Sequence, residues 1–368
     1  MTEGEYPTVV PSDNPVARPA GTGRIRGRER PSGEISSGED RPMTAQSPPG
    51  PVQPGRRRIV VGVDGSAMSL AAVEFVAALE PQATDTVVVA TVAESSMIQA
   101  AQRLAFVAPI AGLLEDLRDD ALERARHTCD RAAERLIGAS FDVRTHVEFG
   151  HPVEVLRRLA LEHPTDLLVL GPTGRSQLAA PVLGSVTQTL LGEMPASILI
   201  ARPPVRRLAR VVLAVDGSPP SLVAAERLRS LPLPPGVELS VCVCVTPWTW
   251  EYASLPHHDF PSLLRAERDH AETVAAEVVA GLGPLGHRAS PMILTGDARR
   301  EILDAARELG ADLIVVGSRG IGGFRGLVLG SVSRGVAKFA PCSVLVATSP
   351  PDPHHLPAGG TDSPEGTP

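Results

Sequence analysis

Short apolar runs alternate with longer amphipathic stretches over most of the chain. Ile59-Val60-Val61-Gly62-Val63 is β-rich and predicts a strand over 58–64, closed by a turn at Asp64-Gly65-Ser66. A helix over about 68–79 and a strand over 86–92 follow. Leu113, Leu117, Ala121, Ala125, Cys129 and Ala133 recur every four residues, which predicts a long amphipathic helix from about 110 to 137. A strand is expected at 141–147, and Pro152 opens a helix that ends before Pro164. Leu167-Leu168-Val169-Leu170 reads as a buried strand. A Gly-containing loop then leads to a helix at about 184–193, and Ile198-Leu199-Ile200 reads as a last strand.

The pattern then repeats. Val60-Val61-Gly62-Val63-Asp64-Gly65-Ser66 returns as Val212-Leu213-Ala214-Val215-Asp216-Gly217-Ser218, 152 positions later. Gly150 and Gly296, Asp166 and Asp312, Gly171 and Gly317, Gly184 and Gly330, and Pro195 and Pro341 are each 146 apart. A constant offset over more than forty residues marks a tandem repeat, with a contraction in the middle of the second copy. In the second copy, strands are expected near 210–216, 238–245, 290–294, 312–316 and 343–347.

Five strands joined by helices in each copy predict an α/β chain of two tandem, doubly wound, parallel-sheet domains. Their boundaries are expected at 57–203 and 207–348. Residues 1–56 and 349–368, rich in Pro and Gly without apolar periodicity, read as disordered tails, and Met43 is an alternative start. Ligands of such sheets sit beyond the carboxyl ends of the strands, near the switch in strand order.

Composition adds exclusions. The formal net charge of −7 weighs against a nucleic-acid-binding surface. Lys338 is the only lysine and lies in no Walker motif. Cys129, Cys242, Cys244 and Cys342 lack CxxC spacing and read as small core residues of a cytoplasmic protein. No apolar run reaches membrane-spanning length, and Glu3, Glu5 and Asp13 make the N-terminus unlike a secretory signal.

The chemistry-bearing feature is a loop that occurs twice. Gly171-Pro172-Thr173-Gly174 is followed nine residues later by Gly184-Ser185, and Gly317-Ser318-Arg319-Gly320 by Gly330-Ser331. Each G-x2-G-x9-G-S stretch follows a predicted buried strand and opens a predicted helix. Gly171 and Gly317 are expected to let backbone pass close to a sugar or phosphate. Gly174 and Gly320 are expected to supply N–H donors. Gly184-Ser185 and Gly330-Ser331 present N–H groups and a hydroxyl at a helix N-terminus, where the dipole favours an anion. Pro172 removes one backbone donor from the first loop. Only the second loop carries Arg319, so the second site is expected to bind more tightly.

Both copies resemble universal stress protein domains of the ATP-binding subgroup, whose signature is this G-x2-G-x9-G-S/T spacing. The resemblance covers about 57–203 and 207–348. It implies a Rossmann-like fold, similar to adenine nucleotide alpha hydrolases, and ATP, with or without Mg, as the ligand. It also implies that Asp64 and Asp216 contact the ribose. Val92 and Val245 would line the adenine pocket through backbone contacts, and Val186 and Val332 would help hold the phosphates. From the residues alone, the two valines also suit the core, and the two aspartates also suit a helix cap. Related single domains pair through their last strands. Ile198–Ile200 and Val344–Val346 are therefore expected to meet within the chain as an internal pseudo-dimer, with a homodimer of whole chains left open.

The expected function is nucleotide-responsive regulation or stress resistance through a protein partner that the sequence does not name. A slow ATPase and an interaction module with empty loops are the alternatives. Neither loop contains a His or Glu to serve as a base for phosphoryl transfer.

Overall fold

The computed structural model describes residues 57–94, 111–138, 140–162, 165–174, 182–194, 196–205, 207–246, 260–282, 287–320 and 329–348. All of them belong to one compact unit, Gly50–Pro368. The first repeat contains β1 (Arg58–Gly62), α1 (Ala67–Ala78), β2 (Thr86–Ala93), α2 (Ala111–Glu134), β3 (Asp142–Phe149), α3 (Pro152–Glu162), β4 (Leu167–Leu170), α4 (Ser185–Glu193) and β5 (Ser197–Ile200). The second contains β6 (Arg210–Val215), α5 (Pro219–Ser230), β7 (Glu238–Val245), α6 (Phe260–Leu282), β8 (Arg288–Thr295), α7 (Ala298–Leu309), β9 (Leu313–Gly317), α8 (Ser331–Phe339) and β10 (Ser343–Ala347). The predicted element order holds throughout both repeats. The predicted tails, Pro164, Pro195 and much of the 175–183 and 321–329 linkers lie outside the described residues.

The strands form one ten-stranded sheet, in the order β3-β2-β1-β4-β5-β10-β9-β6-β7-β8. Each half is parallel and doubly wound, with β1 and β6 as the switch strands. The two five-stranded domains expected from the sequence meet through their last strands, as expected, and the strand pairing joins them into one sheet. β5 and β10 pair antiparallel, with Ile200 opposite Val344, Leu199 opposite Leu345 and Ile198 opposite Val346. Each of these residues is at most 2% exposed. The pairing is isologous: Ile198 meets the counterpart of Ile200, and Ile200 meets the counterpart of Ile198. Hydroxyls close both ends of this ladder, with Ser343 Oγ accepting from Arg202 N at 3.1 Å and Ser197 Oγ from Thr348 N at 3.2 Å. What would be an apolar edge in either half alone is thereby covered.

Apolar layers lie on both faces of the sheet and run through both halves. One contains Ile59, Val61, Val87 and Val89 under α1 and α2, with the corresponding residues of the second half. The other contains Val60, Val88, Leu168 and Ile198 under α3 and α4. The strands are buried on both sides, which is why they read as continuous runs of Val, Leu and Ile. A further tie between the halves is polar. Asp85, 1% exposed at its side chain, accepts from Arg57 N, Nε and Nη2 and from Gln82 N, and Arg57 Nη1 donates to Ser230 O at 2.7 Å.

Candidate functional site

Asp64 stands two residues beyond the end of the switch strand β1, and Gly65 turns the chain with φ +84°, a conformation that favours glycine. Asp64 Oδ1 accepts from Ser66 N at 3.0 Å. The cap of α1 is Ser66, whose Oγ accepts from Ser69 N, so Asp64 is not the helix cap that the sequence left open. Ser69 locks the turn: its Oγ accepts from Asp64 N and donates to Ser66 O. The second repeat copies the turn but not the cap: Ser218, the N-cap of α5, makes no side-chain cap bond, and its Oγ donates to Asp216 Oδ1 instead. Asp216 Oδ1 accepts from Ser218 N, and Ser221 Oγ accepts from Asp216 N and donates to Ser218 O.

The second component is the loop after β4. A Cβ on Gly174 would lie 2.6 Å from Asp64 Oδ2, and one on Gly320 would collide with Asp216 Oδ2. The absent side chain is therefore what lets each loop fold against the aspartate. The first glycine of the motif has a different role from the expected one. A Cβ on Gly171 would lie 2.5 Å from Met68 O, and one on Gly317 2.5 Å from Pro220 O. The space opened by Gly171 and Gly317 is filled by the backbone of α1 and α5, not held open for a sugar or phosphate.

The loop then closes on the next helix. Gly184 N donates to Pro172 O at 2.7 Å, and Gly330 N donates to Ser318 O at 2.7 Å. Thr187 Oγ1 donates to Gly171 O at 2.9 Å, and Ser333 Oγ donates to Gly317 O at 2.6 Å. Gly184 and Gly330 are the N-caps of α4 and α8, and neither helix has a side-chain cap bond. The first-turn N–H groups of Ser185-Val186 and Ser331-Val332 thus carry the partial positive end of each helix without a side-chain cap among the described residues.

In the first repeat these parts surround one cleft of about 310 Å³ at the carboxyl end of the strands. Its lining contains Asp64, Val92, Gly171, Gly174, Gly184, Ser185 and Val186, the full set of first-repeat residues singled out from sequence. Glu94, Ser69 and Thr187 also line it and were missed. The hydroxyls at 69 and 221 and at 187 and 333 recur at the repeat offsets, which is the sequence signal that marks them.

Two expectations for the second repeat need correction. Val245 was paired with Val92, yet the strand register makes Cys244 its counterpart: Val92 lies opposite Glu148, and Cys244 opposite Leu294. Successive residues of a strand face opposite sides of the sheet. Val92 and Cys244 share the α3–α4 side with the cleft residues Ala90 and Leu170, whereas Val245 is buried in the opposite layer. The second concerns Pro172. Its counterpart Ser318 donates its N–H to Ala347 O at 2.8 Å. Pro172 therefore stands where the other loop spends its amide on the sheet, and loop one loses no phosphate donor by having it. Arg319, exposed beside Gly320, remains as the difference between the loops.

The thiols are chemically quiet. Burial pushes the Cys242, Cys244 and Cys342 thiols up to about 12. Beside the first cleft, β3 carries a polar cluster in which His146 and Arg158 both bond Glu148. Burial opposes the Glu148 charge, yet these two hydrogen bonds outweigh it and hold the carboxyl below its usual range.

The description "Universal stress protein family" matches residues 55–202 and 208–348. The chain belongs to the universal stress protein family. Universal stress protein Rv1996 of Mycobacterium tuberculosis is 30% identical over 331 residues, covering 80% of this chain and 96% of the relative. Universal stress protein YxiE of Bacillus subtilis is 29% identical over 143 residues, 37% of this chain and 97% of that protein. Its length thus corresponds to one repeat. The crystal structure of a universal stress protein from Archaeoglobus fulgidus superposes with a TM-score of 0.55 at 20% identity, covering 79% of this chain and 98% of that one. That likeness concerns the fold. No helix among the described residues is long and apolar enough to cross a membrane.

Proposed function

We propose that this universal stress protein binds ATP at the glycine loop of each repeat and acts as a nucleotide-responsive regulator through a protein partner in the cytoplasm. The observation that carries the reading is the convergence, in the first cleft, of a carboxylate just beyond the switch strand with a glycine loop and an uncapped helix N-terminus. Asp64 and Asp216 would accept from ribose hydroxyls. The Gly174 and Gly320 loops, with the first turns of α4 and α8, would hold the phosphates. Val92 and Cys244 would flank the base. The cleft volume falls within the usual range for small-molecule sites, about 300–1,000 Å³.

No group of three metal-ligating side chains stands among the described residues. A Mg²⁺ ion would therefore arrive with the phosphates, which suits a cation that keeps most of its ligands from substrate and water. Binding fits better than turnover, because no His lines the first cleft and its Asp64 already accepts from Ser66 N. The second site is proposed as the tighter one, now on Arg319 alone. The test is to purify the chain without added nucleotide, denature it and identify what is released. Bound ATP supports the reading, and a chain that carries no nucleotide and takes none up contradicts it. A turnover assay then separates a binder from a slow ATPase.

A further inference from the structure

Between α1 and α2 of the first repeat lies another groove, of about 500 Å³, which shares no described residue with the nucleotide cleft. Gly65 and Leu70 line one side of it, and α2 supplies Arg124, His127, Arg131 and Arg135 on the other. These four exposed side chains are spaced by three or four residues or by seven, so they share one helix face. No acidic side chain stands among the described lining residues. Arg124 lies 4.0 Å from Asp120 and Arg135 2.9 Å from Glu74, whereas Arg131 and His127 make no ion pair among the described residues. The stripe runs against the formal net charge of the chain, −7. It also belongs to one repeat. A Cβ on Gly65 would lie 3.1 Å from Thr128 Cγ2, and one on Gly217 3.3 Å from Val274 Cγ2, so Thr128 and Val274 are counterparts. At that register His270, Thr273, Glu277 and Gly281 stand where the first repeat has Arg124, His127, Arg131 and Arg135.

We propose that this groove docks an acidic segment of a protein partner, laid out along α2. The inference deepens the reading that the chain acts through such a partner and rests on that part of it; ATP binding is tested separately. At 1.5 Å per residue, Arg124 to Arg135 covers about 16 Å of helix, the length of about five residues of extended chain. Arg131 and Arg135 are one turn apart, about 6 Å, which suits alternate side chains of an extended segment, about 6.6 Å apart. Guanidinium forks pair with carboxylates through two hydrogen bonds at once. Exposed pairs within the chain, such as Arg135 with Glu74, hold little energy, so an incoming carboxylate can take their place. Nucleic acid fits less well. Asp120 and Glu74 flank the groove and would repel an unbroken row of phosphates, whereas a peptide can place uncharged residues beside them.

The experiment titrates the full chain into a fluorescein-labelled oligoglutamate peptide, about eight residues long so that it overhangs the groove, and follows anisotropy at low ionic strength. The variants are Arg131→Glu, Arg131→Gln and Arg268→Glu. Arg268 is an exposed arginine of α6, so its reversal changes the net charge as much as Arg131→Glu does and leaves the groove alone. Circular dichroism verifies folding, and Arg131→Gln, which removes the charge without reversing it, serves if Arg131→Glu does not fold. The parent should bind the peptide. Arg131→Glu should weaken binding by about fivefold or more, the loss of one exposed pair with a like charge in its place. Arg131→Gln should weaken it by less, and Arg268→Glu should leave it unchanged. A parent that ignores the peptide, an Arg131→Glu chain that binds as the parent does, or equal weakening by Arg268→Glu overturns the inference. So does an oligothymidylate of equal charge that binds more tightly than the peptide. A chain that takes ATP but not the peptide loses the docking groove and keeps the nucleotide reading. A chain that takes the peptide but no ATP keeps the groove and loses the nucleotide reading.

Discussion

A glycine that admits a ligand and a glycine that admits a neighbouring backbone look alike in a sequence. Gly171 and Gly174 illustrate both cases. A Cβ at 171 meets the α1 backbone, and one at 174 meets the Asp64 carboxylate. Gly171→Ala should therefore destabilise the fold by about 1–3 kcal/mol through overpacking. Gly192→Ala, where nothing lies within 4 Å, should not destabilise. Urea midpoints of the two variants decide this, and equal midpoints would remove the structural role given to Gly171. The same scale explains the mistake at Val245. Val92 and Val245 share a residue type and a place late in a strand, but the side that each faces depends on a one-residue register that residue type does not report. Val245→Ala should lower stability by about 1–3 kcal/mol and leave nucleotide affinity unchanged. A loss of affinity at unchanged stability would return Val245 to the site.

At the scale of elements, the strands were legible because burial on both faces leaves little but Val, Leu, Ile and Ala in them. The loops were legible because they recur. The long helix α2 was legible in extent but not in its buried face. A strict four-residue spacing drifts around a helix of 3.6 residues per turn. Ala121, Ala125 and Cys129 are buried, the face then passes to Ala132 and Leu136, and Leu113 is left 55% exposed. The polar tie at Asp85 was not legible, since its partner Arg57 precedes the first strand and the second repeat has Ala209 and Val237 at those positions. Asp85→Ala should cost about 2–3 kcal/mol, below the usual figure for breaking a buried pair because Arg57 is partly exposed. Denaturant unfolding measures it. The buried thiols make a pH prediction. The unfolded chain ionises them near 9, while the folded chain keeps the protons of Cys242, Cys244 and Cys342 to about 12. Stability is thus unaffected by them below pH 9 and falls as the pH rises above it, by up to about 1.4 kcal/mol per thiol per pH unit. Cys342→Ala should flatten the fall in urea midpoint between pH 8 and 10.5, and an unaltered fall would contradict the assignment.

At the scale of the molecule, two repeats share one sheet through the β5–β10 seam, and each keeps its own glycine loop folded against its aspartate. The seam was anticipated from two apolar edge strands, whereas the fusion into a single sheet required the antiparallel register to be seen. The central claim is that each repeat binds one nucleotide at its glycine loop. It is tested most directly by titrating ATP into nucleotide-free full-length chain and into Gly174→Val and Gly320→Val, with circular dichroism to verify folding. Valine at either position displaces the aspartate carboxylate from the loop. The account predicts two binding events in the parent, loss of the tighter one in Gly320→Val and of the weaker one in Gly174→Val. Folded variants that both bind ATP as the parent does, or a parent that binds none, would contradict it.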